Sequence, residues 1–271
     1  MNWPAFNHEA MATTFQIFVA GRPTEYARQA AAAAFRELDR LETELSRYLP
    51  TSDIGRVNQL KSGETLVLGD DALQCLLGSA QISALTHRAF DPAYATPRLP
   101  GVDEALFALD PNAHTLTSLT ERLHLDLGAV GKGYALDRMA DTLAEWDITS
   151  ACLQSGGSTA LALAPPPDSA GWPIGVADDV LLFANRAVSG SGLAVQGEHL
   201  IDPRTRAPAQ RTRRVWSFAS NAADADALST AFFVMTDAAV VEFCQRHFEY
   251  GAALTLPDGS TELVGEIGDR S

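Results

Sequence analysis

DLGAVGKGY (126–134) decides how the surrounding chain is arranged. Upstream of it, RLHLDL alternates strictly. Leu123, Leu125 and Leu127 fall on one face and Arg122, His124 and Asp126 on the other, the period of a β-strand. Downstream, ALDRMADTLAEW continues as a helix to about Trp146. A strand that enters a glycine-bearing turn, meets a lysine and becomes a helix has the outline of a phosphate-binding turn. It is not a P-loop, which needs GxxxxGK followed by Ser or Thr. Gly128 and Gly131 are too close together, and Gly133 stands where the hydroxyl would be. It is not GxGxxG either, which leaves open what the loop holds and where the cation that would normally accompany it sits.

Outward from this stretch, TTFQIFVAG (13–21) alternates and predicts a strand. From Thr24 a helix is expected, because Ala27, Ala31, Ala34, Leu38, Leu41 and Leu45 recur every three or four residues; Pro50 forbids its continuation. Ser52 is a candidate N-cap for a short helix, ETLVLG a short strand, and residues 70–87 a second helix. ALFALDPNAHTLTSL predicts a hairpin about a DPN turn, and SACLQSGGSTALALAPPP a strand, a Gly-Gly turn and a second strand. RAVSGSG (186–192) and EHLIDPRTRAP (198–208) read as loop-rich. RVWSFAS is expected to be a strand, DADALSTAFFVM a helix capped by an Asp and followed by another to His247, and the C-terminal segment a hairpin about Asp258-Gly259. Irregular alternation with several hairpins favours an α+β fold with largely antiparallel sheets and packed helices. The 271 residues suit one domain or two intimate halves, with Pro165 to Gly171 as a surface loop or internal boundary.

Composition narrows the partners. Lys plus Arg number 20 against 34 Asp plus Glu, a net charge of −14, which speaks against nucleic acid or anionic membrane as a general partner. Cys75, Cys152 and Cys244 are widely spaced and odd in number, which suits reduced buried thiols better than disulfides or a zinc site. MNWPAFNHEA has neither the basic nor the apolar region of a signal peptide, and no stretch approaches the ~20 apolar residues of a transmembrane helix. The expected address is cytoplasmic as the sequence stands; a periplasmic or membrane-anchored one would require a removed signal peptide.

Several constellations could carry chemistry. Asp226 and Thr230 are four apart, so a carboxylate and a hydroxyl stack on one helix face. Such hard oxygens suit Mg²⁺, while an Asp in a first helical turn also serves the helix dipole. His199, Asp202 and Arg204 gather in EHLIDPRTRAP, either as a general base and its partners or as a capped turn with an exposed histidine. Arg204, Arg206, Arg211, Arg213 and Arg214 concentrate positive charge in an acidic chain, as a phosphate reader or as a solvated face. Gly156-Gly157 and Gly190-x-Gly192 allow close backbone approach, or mark ordinary turns. There is no GxSxG elbow and no HExxH.

Taken in order, these blocks resemble the FAD:protein FMN transferase (ApbE-type) family. The resemblance is carried by AMATTF (10–15), ELSRYLPTSDIGRVN (44–58), AFDP (89–92), DLGAVGKGYALD (126–137), LQSGGS, AVSGSG, HLIDPRTRAP and ADALSTA (225–231). It implies a T-fold-like architecture and an enzyme that cleaves the pyrophosphate of FAD. The FMN half would pass to a Ser or Thr hydroxyl of a target flavoprotein, with release of AMP. By the same resemblance Met11, Tyr48, Ala89, Phe90, Asp91, Asp126, Lys132 and Leu200 or Ile201 would contact FAD. Mg²⁺ would be held by the carbonyl of Ala129 and the side chains of Asp226 and Thr230, and His199 with Asp202 would serve the acceptor proton. The chain departs from the family pattern at Ala12, Gly131, Ser158 and Arg206, and its 92–125 segment is shorter. Two rival readings are an FAD pyrophosphatase that gives FMN and AMP, and a non-catalytic FAD-binding protein.

Overall fold

The computed structural model describes residues 3–98, 104–191, 201–209 and 214–267. Its centre is an eight-stranded antiparallel sheet. In spatial order the strands are β1 (Ala5–Ala10), β2 (Thr13–Val19), β6 (Ala151–Ser155), β7 (Thr159–Ala162), β10 (Arg186–Ser191), β11 (Val215–Ala219), β12 (Gly251–Thr255) and β13 (Thr261–Gly265). A smaller antiparallel sheet holds β3 (Thr65–Val67), β5 (Thr115–Ser118) and β4 (Phe107–Asp110), and β8 (Trp172–Val176) with β9 (Asp179–Phe183) form a separate hairpin. Among the described residues the helices are α1 (Thr24–Leu45), α2 (Asp53–Val57), α3 (Asp70–Leu85), α4 (Gly131–Glu145), α5 (Ala222–Val234) and α6 (Asp237–Arg246). The expected α+β class with antiparallel sheets is what the chain adopts.

The central strands of the large sheet are buried on both faces. Leu153, Leu161, Ala187, Val215 and Leu254 point into the main core, which they share with α1, α3, α4 and α5. Their neighbours Cys152, Ala160, Val188, Trp216, Phe218 and Ala253 point the other way, into a second cluster closed by Trp172, Ile174 and Phe183 of the β8–β9 hairpin. Double burial explains why the central strands show little polar alternation in sequence. All six stripe residues expected to bury on α1, from Ala27 to Leu45, are buried.

Three local expectations are corrected. Leu123, Leu125 and Leu127 are buried, yet residues 123–127 pair with no strand among the described residues. Side chains replace a neighbouring strand. Asn58 receives the Leu125 N–H on Oδ1 (2.7 Å) and donates Nδ2 to the Leu125 carbonyl (2.9 Å). Thr96 Oγ1 receives the His124 N–H (2.9 Å) and donates to the His124 carbonyl (3.1 Å). Secondly, RAVSGSG is not a loop: Arg186–Ser191 is β10, a central strand. Its small residues hid it, because Gly190 lies flat against the Trp216 ring, where a Cβ would come within 2.8 Å of the indole Nε1. Thirdly, α5 begins at Ala222 and is capped by Asn221, whose Oδ1 accepts the Asp224 N–H at 2.7 Å.

The glycines of the opening stretch have different duties. A Cβ on Gly133 would lie 2.1 Å from the Ala222 carbonyl oxygen, so α4 and α5 cross too closely for any side chain there. A Cβ on Gly131 would meet only the Leu127 Cβ at 3.7 Å, an ordinary contact. At the same crossing, Asp137 of α4 accepts the Ala222 N–H (2.7 Å) and the Ala223 N–H (2.9 Å), two of the donors that open α5. Burial raises the Asp137 carboxyl to about 6, against the opposing effect of these two N–H groups.

Two outcomes follow for stability. Gly133→Ala is expected to destabilise the fold by about 3 kcal/mol or more, whereas Gly131→Ala should be neutral or stabilising by up to about 1 kcal/mol; urea midpoints of the two variants check this. Because the Asp137 carboxyl is raised above its usual value of 3.8, its favourable contribution is complete below about pH 3.8 and is lost as pH rises through about 6. The unfolding free energy of wild type minus that of Asp137→Asn should therefore fall by about 2 kcal/mol between pH 4 and pH 7. A difference that stays flat in urea titrations at the two pH values would contradict the assignment.

Candidate active site

One end of the large sheet gathers the turns that build a cleft. The β1–β2 turn holds Met11 and Ala12, both in the left-handed region at φ of 49° and 59°. Such a turn normally selects Asn-Gly, so two ordinary side chains there are strained. The Met11 N–H is held by Glu42 Oε1 of α1 at 2.7 Å. Beside it lies the β6–β7 turn, where Gly156 at φ 56° donates its N–H to the Thr14 carbonyl (3.0 Å) and leaves no room for a Cβ against Thr13 Oγ1 (2.3 Å). The cleft, of about 360 Å³, is lined by Met11, Glu42, Arg47, Tyr48, Asp126 and Lys132, among others. It thus runs between the end of α1 and the N-terminus of α4.

Asp126 is fixed from three sides. Its Oδ1 accepts the Gly128 N–H (2.9 Å), and its Oδ2 faces Arg47 Nε (3.2 Å) and the Tyr94 hydroxyl (3.4 Å). Burial and the Asp126 charge raise the Tyr94 hydroxyl above its usual value, with Arg47 opposing. The Arg47 guanidinium lies over the Tyr48 ring, 4.4 Å from its centroid, and Tyr48 is 76% exposed at the cleft rim. A rigid, exposed aromatic face of this kind suits a planar heterocycle.

At the floor, Lys132 Nζ donates to the Gly128 carbonyl (2.7 Å) and to Asp226 Oδ2 (3.3 Å). Asp226 is buried on α5, and the same Oδ2 accepts the Gly133 N–H at 3.2 Å. Gly133 lies in the first turn of α4, where backbone N–H groups have no acceptor within the helix, so Asp226 satisfies a donor that the helix leaves open. Ala129 lies just before the cap residue Val130. Thr230 stands one turn beyond Asp226 and is partly exposed. Among the described residues no three His, Cys, Asp or Glu side chains cluster as a metal site. One carboxylate, one carbonyl and one hydroxyl are nevertheless a fitting donor set for Mg²⁺, which keeps waters and takes phosphate oxygens.

The remaining candidates are placed as follows. Ala89 and Phe90 are buried in the main core. Asp91 is buried too, with Oδ1 on the Ala93 N–H (2.8 Å) and Oδ2 on Arg98 Nη2 (2.8 Å). This turn touches the cleft loop through the Asp126 N–H, which donates to the Pro92 carbonyl at 2.8 Å. His199 and Leu200 lie outside the described residues. Ile201 is 42% exposed and bridges to Pro208. Asp202 is bound by the Arg204 N–H, Nε and Nη2 at 2.8–2.9 Å. Burial acts to raise its carboxyl, but Arg204 holds it on balance below the usual value. Arg204 also donates to the Val234 carbonyl (3.2 Å) and Arg206 to that of Thr96 (2.8 Å). These two arginines serve the loop's attachment, while Arg211 and Arg213 lie outside the described residues. Sequence reasoning did not single out Glu42, Arg47 or the hydroxyls around Asp226; no spacing rule links residues so far apart in the chain.

Comparisons with known proteins agree with one another. The ApbE family matches residues 11–254. A curated relative from Treponema pallidum, an FAD:protein FMN transferase, is 27% identical over 92% of this chain and 83% of its own length. One of the same description from Vibrio cholerae is 24% identical over 74% of this chain and 71% of its own. Among solved structures, the flavin transferase ApbE from Vibrio cholerae superposes with a TM-score of 0.82 at 19% identity, covering 97% of both chains. The apo form of the Pseudomonas stutzeri flavinyl transferase ApbE gives 0.82 at 22% identity, covering 97% of this chain and 95% of its own. These superpositions establish the shared fold.

Proposed function

The chain belongs to the ApbE family, and we propose that it transfers the FMN half of FAD to a Ser or Thr hydroxyl of a target flavoprotein, releasing AMP in a Mg²⁺-dependent reaction. The observation that carries this reading is the floor of the cleft. There Lys132 and Asp226 meet, and Asp226 also takes the Gly133 N–H in the opening turn of α4. Phosphoryl transfer asks a protein mainly for positioning and for neutralisation of charge, and this floor is built for both.

In the proposed step the acceptor oxygen attacks the phosphorus of the FMN half. The P–O bond to the adenylate side breaks, the bridging oxygen leaves with AMP, and the acceptor proton passes to a base. Lys132 and the N-terminus of α4 would hold the pyrophosphate. Met11, Tyr48 and Asp126 line the cleft and would orient the rest of the dinucleotide. Ala89, Phe90 and Asp91 would support it from the adjoining turn, and Leu200 or Ile201 would contact it as well. Ala129, Asp226 and Thr230 would hold Mg²⁺, which supplies Lewis-acid polarisation of a phosphoryl oxygen when bound. His199 is the candidate base. Asp202 is committed to Arg204 and would hold the turn at residues 202–206.

The test combines FAD, Mg²⁺ and a candidate flavoprotein acceptor, with chromatographic assay of AMP and intact mass of the acceptor. AMP together with a covalent FMN adduct is expected, and Asp226→Asn and Lys132→Met should each lower the rate at least about 100-fold. AMP without adduct, across acceptors, would favour hydrolysis with water in the acceptor's place. Bound FAD without AMP would leave a binding protein.

A further inference from the structure

A row of buried hydroxyls runs across four strands beneath Asp226. The register sets Ser155 of β6 opposite Thr159 of β7, Thr159 opposite Ser189 of β10, and Ser189 opposite Ser217 of β11. Residues directly opposite share a sheet face. All four are buried, and two residues along the strands the same face is apolar, with Leu153, Leu161, Ala187 and Ala219 in the main core. Polar groups in such a place cost stability unless they are hydrogen-bonded. Here Thr159 and Ser189 reach one carboxylate, that of Asp226, whereas Ser217 Oγ donates to the Ala225 carbonyl and Ser155 Oγ has no partner among the described residues.

The contacts are specific. Thr159 Oγ1 donates to Asp226 Oδ1 (3.2 Å) and lies 3.0 Å from Ser189 Oγ. Ser189 Oγ is also within 3.4 Å of Asp226 Oδ1 and 3.2 Å of Ser229 Oγ. Ser229 donates to the Asp226 carbonyl (2.9 Å) and lies 3.0 Å from Ser191 Oγ. Each hydroxyl owns one proton. The shortest assignment runs from Ser191 to Ser229 and on to the Asp226 carbonyl, and from Ser189 to Thr159 and on to Asp226 Oδ1. The carboxylate is thereby divided. Oδ1 is held by the sheet, and Oδ2 faces Lys132 and the Gly133 N–H.

We propose that Thr159, relayed by Ser189, is a positioning residue that fixes the Asp226 carboxylate and sets the affinity of this site for a divalent cation. The inference rests on the reading of Asp226 as a metal ligand. Hydrogen bonds behind a ligand fix its orientation and typically change metal affinity about 10- to 100-fold when removed.

The test uses Mn²⁺ as the probe, with binding read from loss of the free-ion EPR signal. Wild type, Asp226→Asn, Thr159→Val, Thr159→Ser and Thr159→Val/Ser189→Ala are compared after near-UV circular dichroism has verified the fold. Thr159→Val should raise the Mn²⁺ dissociation constant about 10-fold, the double variant further, and Thr159→Ser should restore it. The Mg²⁺ concentration for half-maximal AMP release should rise in parallel, while turnover at saturating Mg²⁺ recovers. Folded valine and double variants that bind Mn²⁺ as wild type does, with Asp226→Asn impaired, would overturn the proposal alone. Equal binding by wild type and Asp226→Asn would overturn both the proposal and the metal reading beneath it.

Discussion

Where α4 and α5 cross, each helix supplies a carboxylate to the opening turn of the other. Asp137 of α4 takes two N–H groups that begin α5, and Asp226 of α5 takes the Gly133 N–H that begins α4. Helix starts are short of internal acceptors and favour negative charge, so the arrangement satisfies both ends at once. It requires the backbones to touch, and Gly133 provides that contact. The site depends on this crossing, because it brings Asp226 beside Lys132 although they are 94 residues apart. The glycine in the position of a P-loop hydroxyl is therefore a packing residue.

The rest of the molecule supports the crossing from below. With one sheet face given to the helices and the other closed by the β8–β9 hairpin, the central strands are fixed on both sides. Side chains rising from such strands have little freedom, so hydroxyls at the right register can orient a carboxylate without a loop of their own. The cleft above is made of turns, and two of them use left-handed backbone at Met11, Ala12 and Gly156. A rigid floor under strained walls is a common division of labour in binding sites.

Much of this was legible in the sequence, and the misses share causes. The stripe of α1, the Ser52 cap, the β4–β5 hairpin and the β6–β7 pair all rest on local rules of period and turn chemistry, and they were read correctly. Asp226 and Thr230 share one face of α5 because four residues make about one helical turn. β10 does not read as a strand because a strand buried on both faces by small residues has neither alternation nor bulk. The 122–128 segment was assigned to a strand because its alternation is real; what it lacks is a neighbouring strand, and no local pattern reports that. The hydroxyl row is invisible for a related reason, since its members meet only through sheet register.

The side-chain clamps on residues 124 and 125 also bear on how the chain folds. Asn58 reaches across 67 residues and Thr96 across 28 to satisfy one short extended segment. Contacts of that span close large loops, whose entropic cost slows their formation relative to local helices and hairpins. Asp126 and the turn after it can therefore take their final positions only once three distant stretches of chain have met. Any ligand of the cleft would bind the finished protein alone, and would protect the whole fold by mass action instead of trapping an intermediate.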